Sequence, residues 1–253
     1  MTQTLPPHGI GLYDVRSLRM ARTVVPPLSE EDRAARDRVW DQAVAANPSL
    51  FDGPAVVCAG LEWEGPHRLL LFWAPVTYRH FALRRVPGCT AWLPSLFVNV
   101  LQPTDDGRVL VVRMSKTTAA PGRWQLPGGS AEPPADGGEM DERALRTHAA
   151  RELAEETGAP LRPGMLKLWT VTRGENASIG LTYLAPPRPV SALQHDFAVL
   201  TEAERAAGRE PELDEIALIG DPMRLADLTG PHADYLAPLV HRYSTTRPGA
   251  SDS

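Results

Sequence analysis

Three carboxylates crowd into the eight residues RELAEETG, 151–158: Glu152, Glu155 and Glu156, behind Arg151. In a helix, residues three and four apart share a face, so all three point the same way and repel one another by roughly 0.2–0.5 kcal/mol per pair. Gly158 reads as the left-handed residue that ends the helix. The anions then lie toward the negative end of the helix dipole, where a cation is favoured. Side chains placed against both preferences are accounted for if they hold a hard divalent cation, which takes oxygen ligands and offsets the charge. Such a cation polarises a phosphoryl oxygen and activates water. Two glycines in LPGG, Gly128 and Gly129, allow a close backbone approach upstream of the helix.

The chain around this stretch has 253 residues, 43% hydrophobic and 23% charged, enough for one large domain or two smaller ones. A net charge of −5 gives no basic footprint for nucleic acid, so a polyanionic substrate needs a local device such as metal ions or a few arginines. No run of 18 apolar residues predicts a membrane span. The opening MTQTLPPHGIGLYD lacks a basic segment followed by an apolar one and does not read as a secretory signal. Cys58 and Cys89 are expected as reduced thiols in a cytoplasmic protein.

The elements that must position the carboxylates follow from periodicity. Ser29, followed by Glu30, Glu31 and Asp32, starts a helix that ends near Asn47-Pro48. AVVCAGLEWEG and RLLLFWAPVTYRHFAL read as strands joined by a turn, giving an N-terminal α+β extension over 9–90, itself a candidate substrate-binding unit. A second unit spans 91–243: strands at 93–102, 109–115, 165–173, 178–186 and 215–221, a short one at WQ, and helices at 140–157, 200–208 and 231–244. Strands mixed with helices around a central helix predict α/β/α layers. Residues 1–8 and 244–253 are expected to be frayed tails.

LPGGSAEP followed by RELAEETGA resembles the signature of the Nudix hydrolases: Gly, five residues, Glu, seven residues, Arg-Glu-U-x-Glu-Glu-x-Gly-U, with U apolar. Arg151, Glu152, Leu153, Glu155, Glu156, Gly158 and Ala159 match its second half. The first half departs, because Arg151 falls 22 positions after Gly129 where the signature has 14. The eight extra residues, in a loop over 134–141, leave Ala135 or Arg143 where the leading Glu belongs. RVWDQAVAANPSLFDGPAVV (38–57) and VTYRHF (76–81) resemble the leader of the animal UDP-sugar pyrophosphatases, a Nudix branch.

The resemblance implies a Nudix α/β/α sandwich that hydrolyses a nucleoside diphosphate derivative with Mg²⁺ or Mn²⁺. It implies Glu152, Glu155, Glu156 and the Gly128 carbonyl as metal ligands, and Arg151 as the residue orienting one of the glutamates. Glu155, Glu156 or Glu175, in the loop RGENAS, is the implied base. Tyr78, Arg79, Arg113 and Trp124 are candidate substrate contacts, with Phe97 a further candidate for base stacking and Arg173 for phosphate. The best substrate expectation is UDP-glucose or UDP-galactose, giving UMP and sugar 1-phosphate. The alternatives are ADP-ribose or a dinucleotide and, in another class, a non-catalytic nucleotide-sensing module. The expected partner is a small molecule, with neither nucleic acid nor membrane.

Overall fold

The structure, a computed structural model, describes residues 9–134, 137–174 and 176–246. In chain order these form β1 (Gly11–Tyr13), β2 (Ser17–Arg22), α1 (Glu30–Ala46), β3 (Pro54–Gly65), β4 (Arg68–Thr77) and a 3-10 segment (Tyr78–Arg85). Then follow β5 (Leu96–Leu101), β6 (Val109–Met114), β7 (Trp124–Gln125), α2 (Glu142–Thr157), β8 (Lys167–Arg173), β9 (Ile179–Leu184), α3 (Val190–Ala206), β10 (Leu213–Ile219) and α4 (Leu236–Thr246).

Strand β5 shows how the layers arise. Alternate side chains of a strand face opposite ways. Leu96, Val98 and Val100 pack with Leu145, Ala149 and Leu153 of α2, while Phe97 and Leu101 pack with Leu236, Leu239 and Val240 of α4. The order of its sheet is β1-β8-β9-β5, with β5 and β9 parallel, and a second sheet runs β10-β6-β7. Helix, sheet and helix therefore make the expected α/β/α sandwich.

The extension is a third sheet, β2-β4-β3, and a helix, α1, whose Trp40 packs edge to face on Tyr78 of the 3-10 segment, with ring centroids 6.2 Å apart. Ser29 caps α1 by accepting from the Asp32 amide at 3.0 Å, as its sequence indicated. The boundary near residue 90 does not separate two cores. Val56, Cys58, Leu69, Leu71 and Trp73 belong to the same buried cluster as Leu153 of α2, and β1 pairs with β8 as an edge of the central sheet.

Two element readings are corrected. RLLLFWAPVTYRHFAL is not one strand: β4 stops at Thr77 because the next amides are taken up elsewhere. Tyr78 N–H donates to the Gly53 carbonyl at 2.8 Å and Arg79 N–H to Asp52 Oδ1 at 2.7 Å. The chain then turns as a 3-10 segment with His80 and Leu83 buried. The short helix at 200–208 is the end of the longer α3, which begins just after Pro189 and buries Leu193 and Thr201.

Candidate active site

Helix α2 is fixed at both ends. Asp141 caps its start, accepting from the Ala144 amide at 2.7 Å. Gly158 ends it at φ +69°, where a β-carbon would lie 3.0 Å from the Asp196 carbonyl carbon. Leu145, Ala149 and Leu153 anchor the inner stripe. The next stripe round carries Glu152 and Glu156 to the loop after β7, while Glu155, expected on the same face, points to solvent.

That loop meets them through its glycines. Gly128, at φ +147°, donates its N–H to Glu156 Oε2 at 2.7 Å. A β-carbon there would lie 2.6 Å from Asn99 Cα and nearer still to the Val98 carbonyl oxygen. Gly129 leaves room for the Glu152 carboxyl, whose Cδ would be 3.0 Å from a β-carbon on it. Glu156 is 3% exposed, and burial, followed by the nearby Glu212 carboxylate, pushes its carboxyl well above the usual range. Glu152 accepts from or shares a proton with His148 Nε2 at 2.8 Å. Arg151 lies 3.2 Å from Glu132, 3.4 Å from Glu152 and 3.9 Å from Glu155. Glu155 is turned out to solvent.

Two cavities meet at this loop. One, of about 460 Å³, is acidic: Glu132, Glu152, Glu210 and Glu212 line it, with Phe51 from the extension at its side. The other, of about 430 Å³, is aromatic, with Tyr78, Phe81, Trp92, Phe97 and Tyr235 in its walls. Tyr78, Arg123, Gln125 and Gly128 to Ser130 line both, forming a neck between an acidic lobe and an aromatic lobe. Arg123 is held by Gln125 Oε1, at 2.7 Å from its Nη2.

The structure thus brings Glu152, Gly128 and Tyr78 to one groove, with Glu156 hydrogen-bonded to the Gly128 amide beneath it. The Gly128 carbonyl is 3.5 Å from Gln125 Nε2. Three substrate candidates lie elsewhere. Trp124 is 2% exposed in the core beside α4, donating from Nε1 to the Thr229 carbonyl at 3.1 Å. Arg113 faces its cross-strand neighbour Glu215 at 3.7 Å. Arg79 is bound to Asp52 at 3.1 Å and Asp37 at 3.5 Å, with its guanidinium over Trp40, so it ties α1 to the 3-10 segment. Glu175 lies outside the described residues.

Two residues that the sequence did not single out belong here. Arg123 carries one signal in retrospect: no acidic residue occurs between Asp106 and Glu132 to pair with it locally. Glu212 lies 56 positions beyond Glu156 with nothing in its neighbourhood to mark it. Partial dehydration, then the charges of Glu152 and Glu155, raise its carboxyl.

Among the described residues, no three His, Cys, Asp or Glu side chains are arranged as they stand to hold a metal ion. The donor chemistry nevertheless fits a hard divalent cation. The donors are carboxylate oxygens whose mutual repulsion, visible at Glu156 and Glu212, a cation would relieve.

The family model for the NUDIX domain matches residues 95–242, more than half of the chain. The comparison of the chain with curated proteins found no match. Among solved structures, the MutT protein of Methanosarcina mazei Go1 is similar at 19% identity and TM-score 0.38, over 60% of this chain and 94% of that one. A NUDIX hydrolase from Alicyclobacillus acidocaldarius gives 18% and 0.38, over 59% and 90%. Shewanella oneidensis NrtR, solved with a 27-mer DNA, gives 18% and 0.37, over 58% and 59%. No helix among the described residues is long and apolar enough to cross a membrane. The RELAEETG helix with its glycine loop and the match over 95–242 place the chain in the Nudix family, as a hydrolase acting on nucleoside diphosphate derivatives.

Proposed function

We propose that this hydrolase cleaves the diphosphate of a nucleoside diphosphate sugar, a UDP-hexose first among them, to nucleoside monophosphate and sugar 1-phosphate. The observation that carries the reading is the two-lobed groove. An acidic lobe and an aromatic lobe meet at a neck containing Arg123 and the glycine loop, an arrangement suited to a molecule with a diphosphate at its centre. The stretches that resemble UDP-sugar pyrophosphatases contribute to that groove, Leu50 and Phe51 to one lobe and Tyr78 and Phe81 to the other.

Glu152, Glu155, Glu156 and the Gly128 carbonyl are the groups that would hold Mg²⁺ or Mn²⁺. When bound, such a cation neutralises phosphate charge and makes water a better nucleophile. Arg151 orients Glu152 and Glu155. Arg123, a planar guanidinium suited to two phosphate oxygens at once, positions the diphosphate. Water adds to one phosphorus, the bond from that phosphorus to the bridging oxygen breaks, and a carboxylate takes the proton. Glu212 is better placed for that role than Glu156, which is buried against the Gly128 amide.

The test is a panel of UDP-glucose, UDP-galactose, ADP-ribose and dinucleotides, with Mg²⁺ and with Mn²⁺, scored by product identity. UMP and hexose 1-phosphate are expected, and Glu155→Gln should cut turnover by orders of magnitude. Cleavage of ADP-ribose or dinucleotides alone would overturn the sugar assignment, and no cleavage of any member would overturn the proposed reaction.

A further inference from the structure

The N-terminal extension does more than buttress the sandwich. Its 3-10 segment stands over the aromatic lobe, and three of its side chains, Tyr78, Phe81 and Arg84, line that cavity. Tyr78 and Phe81 meet edge to face, with ring centroids 5.4 Å apart. The segment is held rigidly: Tyr78 N–H is bound to Gly53, Arg79 to Asp52 and Asp37, and His80 Nε2 accepts from the Leu93 amide at 3.2 Å. Opposite it, the Nudix body supplies Phe97 stacked on Tyr235 at 5.3 Å, along with Asn176 and Ser178.

The cations differ from others nearby. Arg79 is taken up by two aspartates. Neither Arg84 nor Arg123 is within ion-pair distance of a carboxylate among the described residues, and both line the aromatic lobe, as does Asp234. The charges of Arg123, Arg85 and Arg84 all reach the Tyr78 hydroxyl. Ring faces plus two guanidinium groups without a carboxylate partner, one of them, Arg123, oriented by Gln125 Oε1 at 2.7 Å, suit an aromatic base carrying a phosphate.

We infer that the aromatic lobe is the subsite for the nucleoside monophosphate half of the substrate, closed by the extension, with Phe81 and Trp92 against the base and Arg84 and Arg123 on its phosphate. This rests on the diphosphate-hydrolysis reading above and adds which end of the substrate lies where. The sugar phosphate half falls in the acidic lobe beside Phe51. Selectivity for the base thereby comes from a segment outside the family-matched residues 95–242.

The test is calorimetric binding of UMP, AMP, GMP and CMP to the full chain in EDTA, so that it does not depend on turnover. At least one is expected to bind. Phe81→Ala should weaken it about tenfold, in the range for loss of one base-stacking side chain. Arg84→Ala should weaken it severalfold, with Arg84→Lys recovering part. In a parallel titration with Mn²⁺ in place of EDTA, glucose 1-phosphate should bind all three variants as it binds the wild type. Arg84 is exposed, so its variants decide the matter should Phe81→Ala fail to fold. If none of the four binds, or if UMP binds the folded Arg84→Ala protein as tightly as the wild type, the inference is overturned. Turnover of UDP-glucose alongside unaltered UMP binding would sink the inference and leave the reaction standing. Weakened UMP binding in a protein that cleaves nothing would do the reverse.

Discussion

Gly128 and Gly129 are adjacent, yet alanine should act differently at each. At Gly128 the backbone sits at φ +147°, and a new β-carbon would press into the backbone of β5, 2.6 Å from Asn99 Cα. That region is essentially restricted to glycine, and holding another residue in such a conformation costs about 1–3 kcal/mol. Overpacking against neighbours that cannot move adds about 1–3 kcal/mol. Gly128→Ala should therefore lose about 2–6 kcal/mol, which for a chain of this size lowers the thermal midpoint by roughly 5–20 °C. Gly129 has no positive φ, and its new β-carbon would meet only the Glu152 carboxyl, the far end of a side chain that can swing aside. Its alanine variant should stay within about 1 kcal/mol of wild type, as substitutions away from packed backbone do. It should lose about a hundredfold in turnover, because a misplaced group of about 1 Å can have that effect. Urea or thermal unfolding, paired with UDP-glucose turnover, separates the two. A Gly128→Ala protein as stable as wild type, or a Gly129→Ala protein with full turnover, would refute the reasoning.

Two further predictions concern the scaffold. His80 has its pKa lowered from 6.5, first by burial and then by the Arg36 charge. The folded chain therefore binds fewer protons there than the unfolded chain, so this contribution is complete above about pH 6.5 and is lost as pH falls toward the folded value. Unfolding measured from pH 7 down to 5 should show that slope, and His80→Gln should flatten it; an unchanged slope assigns it to other groups. Trp124→Ala should destabilise the protein by about 3–5 kcal/mol, the cost of emptying a buried aromatic site. UMP affinity of the protein that remains folded should be preserved, and a stable variant with weakened UMP binding would return Trp124 to the substrate site.

Much of this was legible in the sequence because the signals were local. The Ser29 cap, the Gly158 stop and the short apolar run LFVNVL each reflect a backbone or packing rule within a few residues, and the elements followed. The carboxylate helix was visible for the same reason. What was missed depends on distance. Trp124 and Arg113 look like binding residues until their neighbours are known, and those neighbours, Thr229 and Glu215, are over 100 positions away. Arg79 carries the right charge in the right segment, but Asp37 and Asp52 occupy it and leave Arg84 facing the groove. The strand that stops at Thr77 does so because the 52–53 loop captures the next two amides, which no periodicity encodes.

The central claim is that the carboxylates of α2 exist to bind a divalent cation, although Arg151 and His148 now hold some of them. Mn²⁺ binding, followed by electron paramagnetic resonance on the wild type and on Glu152→Gln and Glu156→Gln, tests it most directly. Saturable binding to the wild type is expected, weakened at least tenfold in each variant together with turnover. Binding absent from the wild type, or undiminished in both variants, would contradict it.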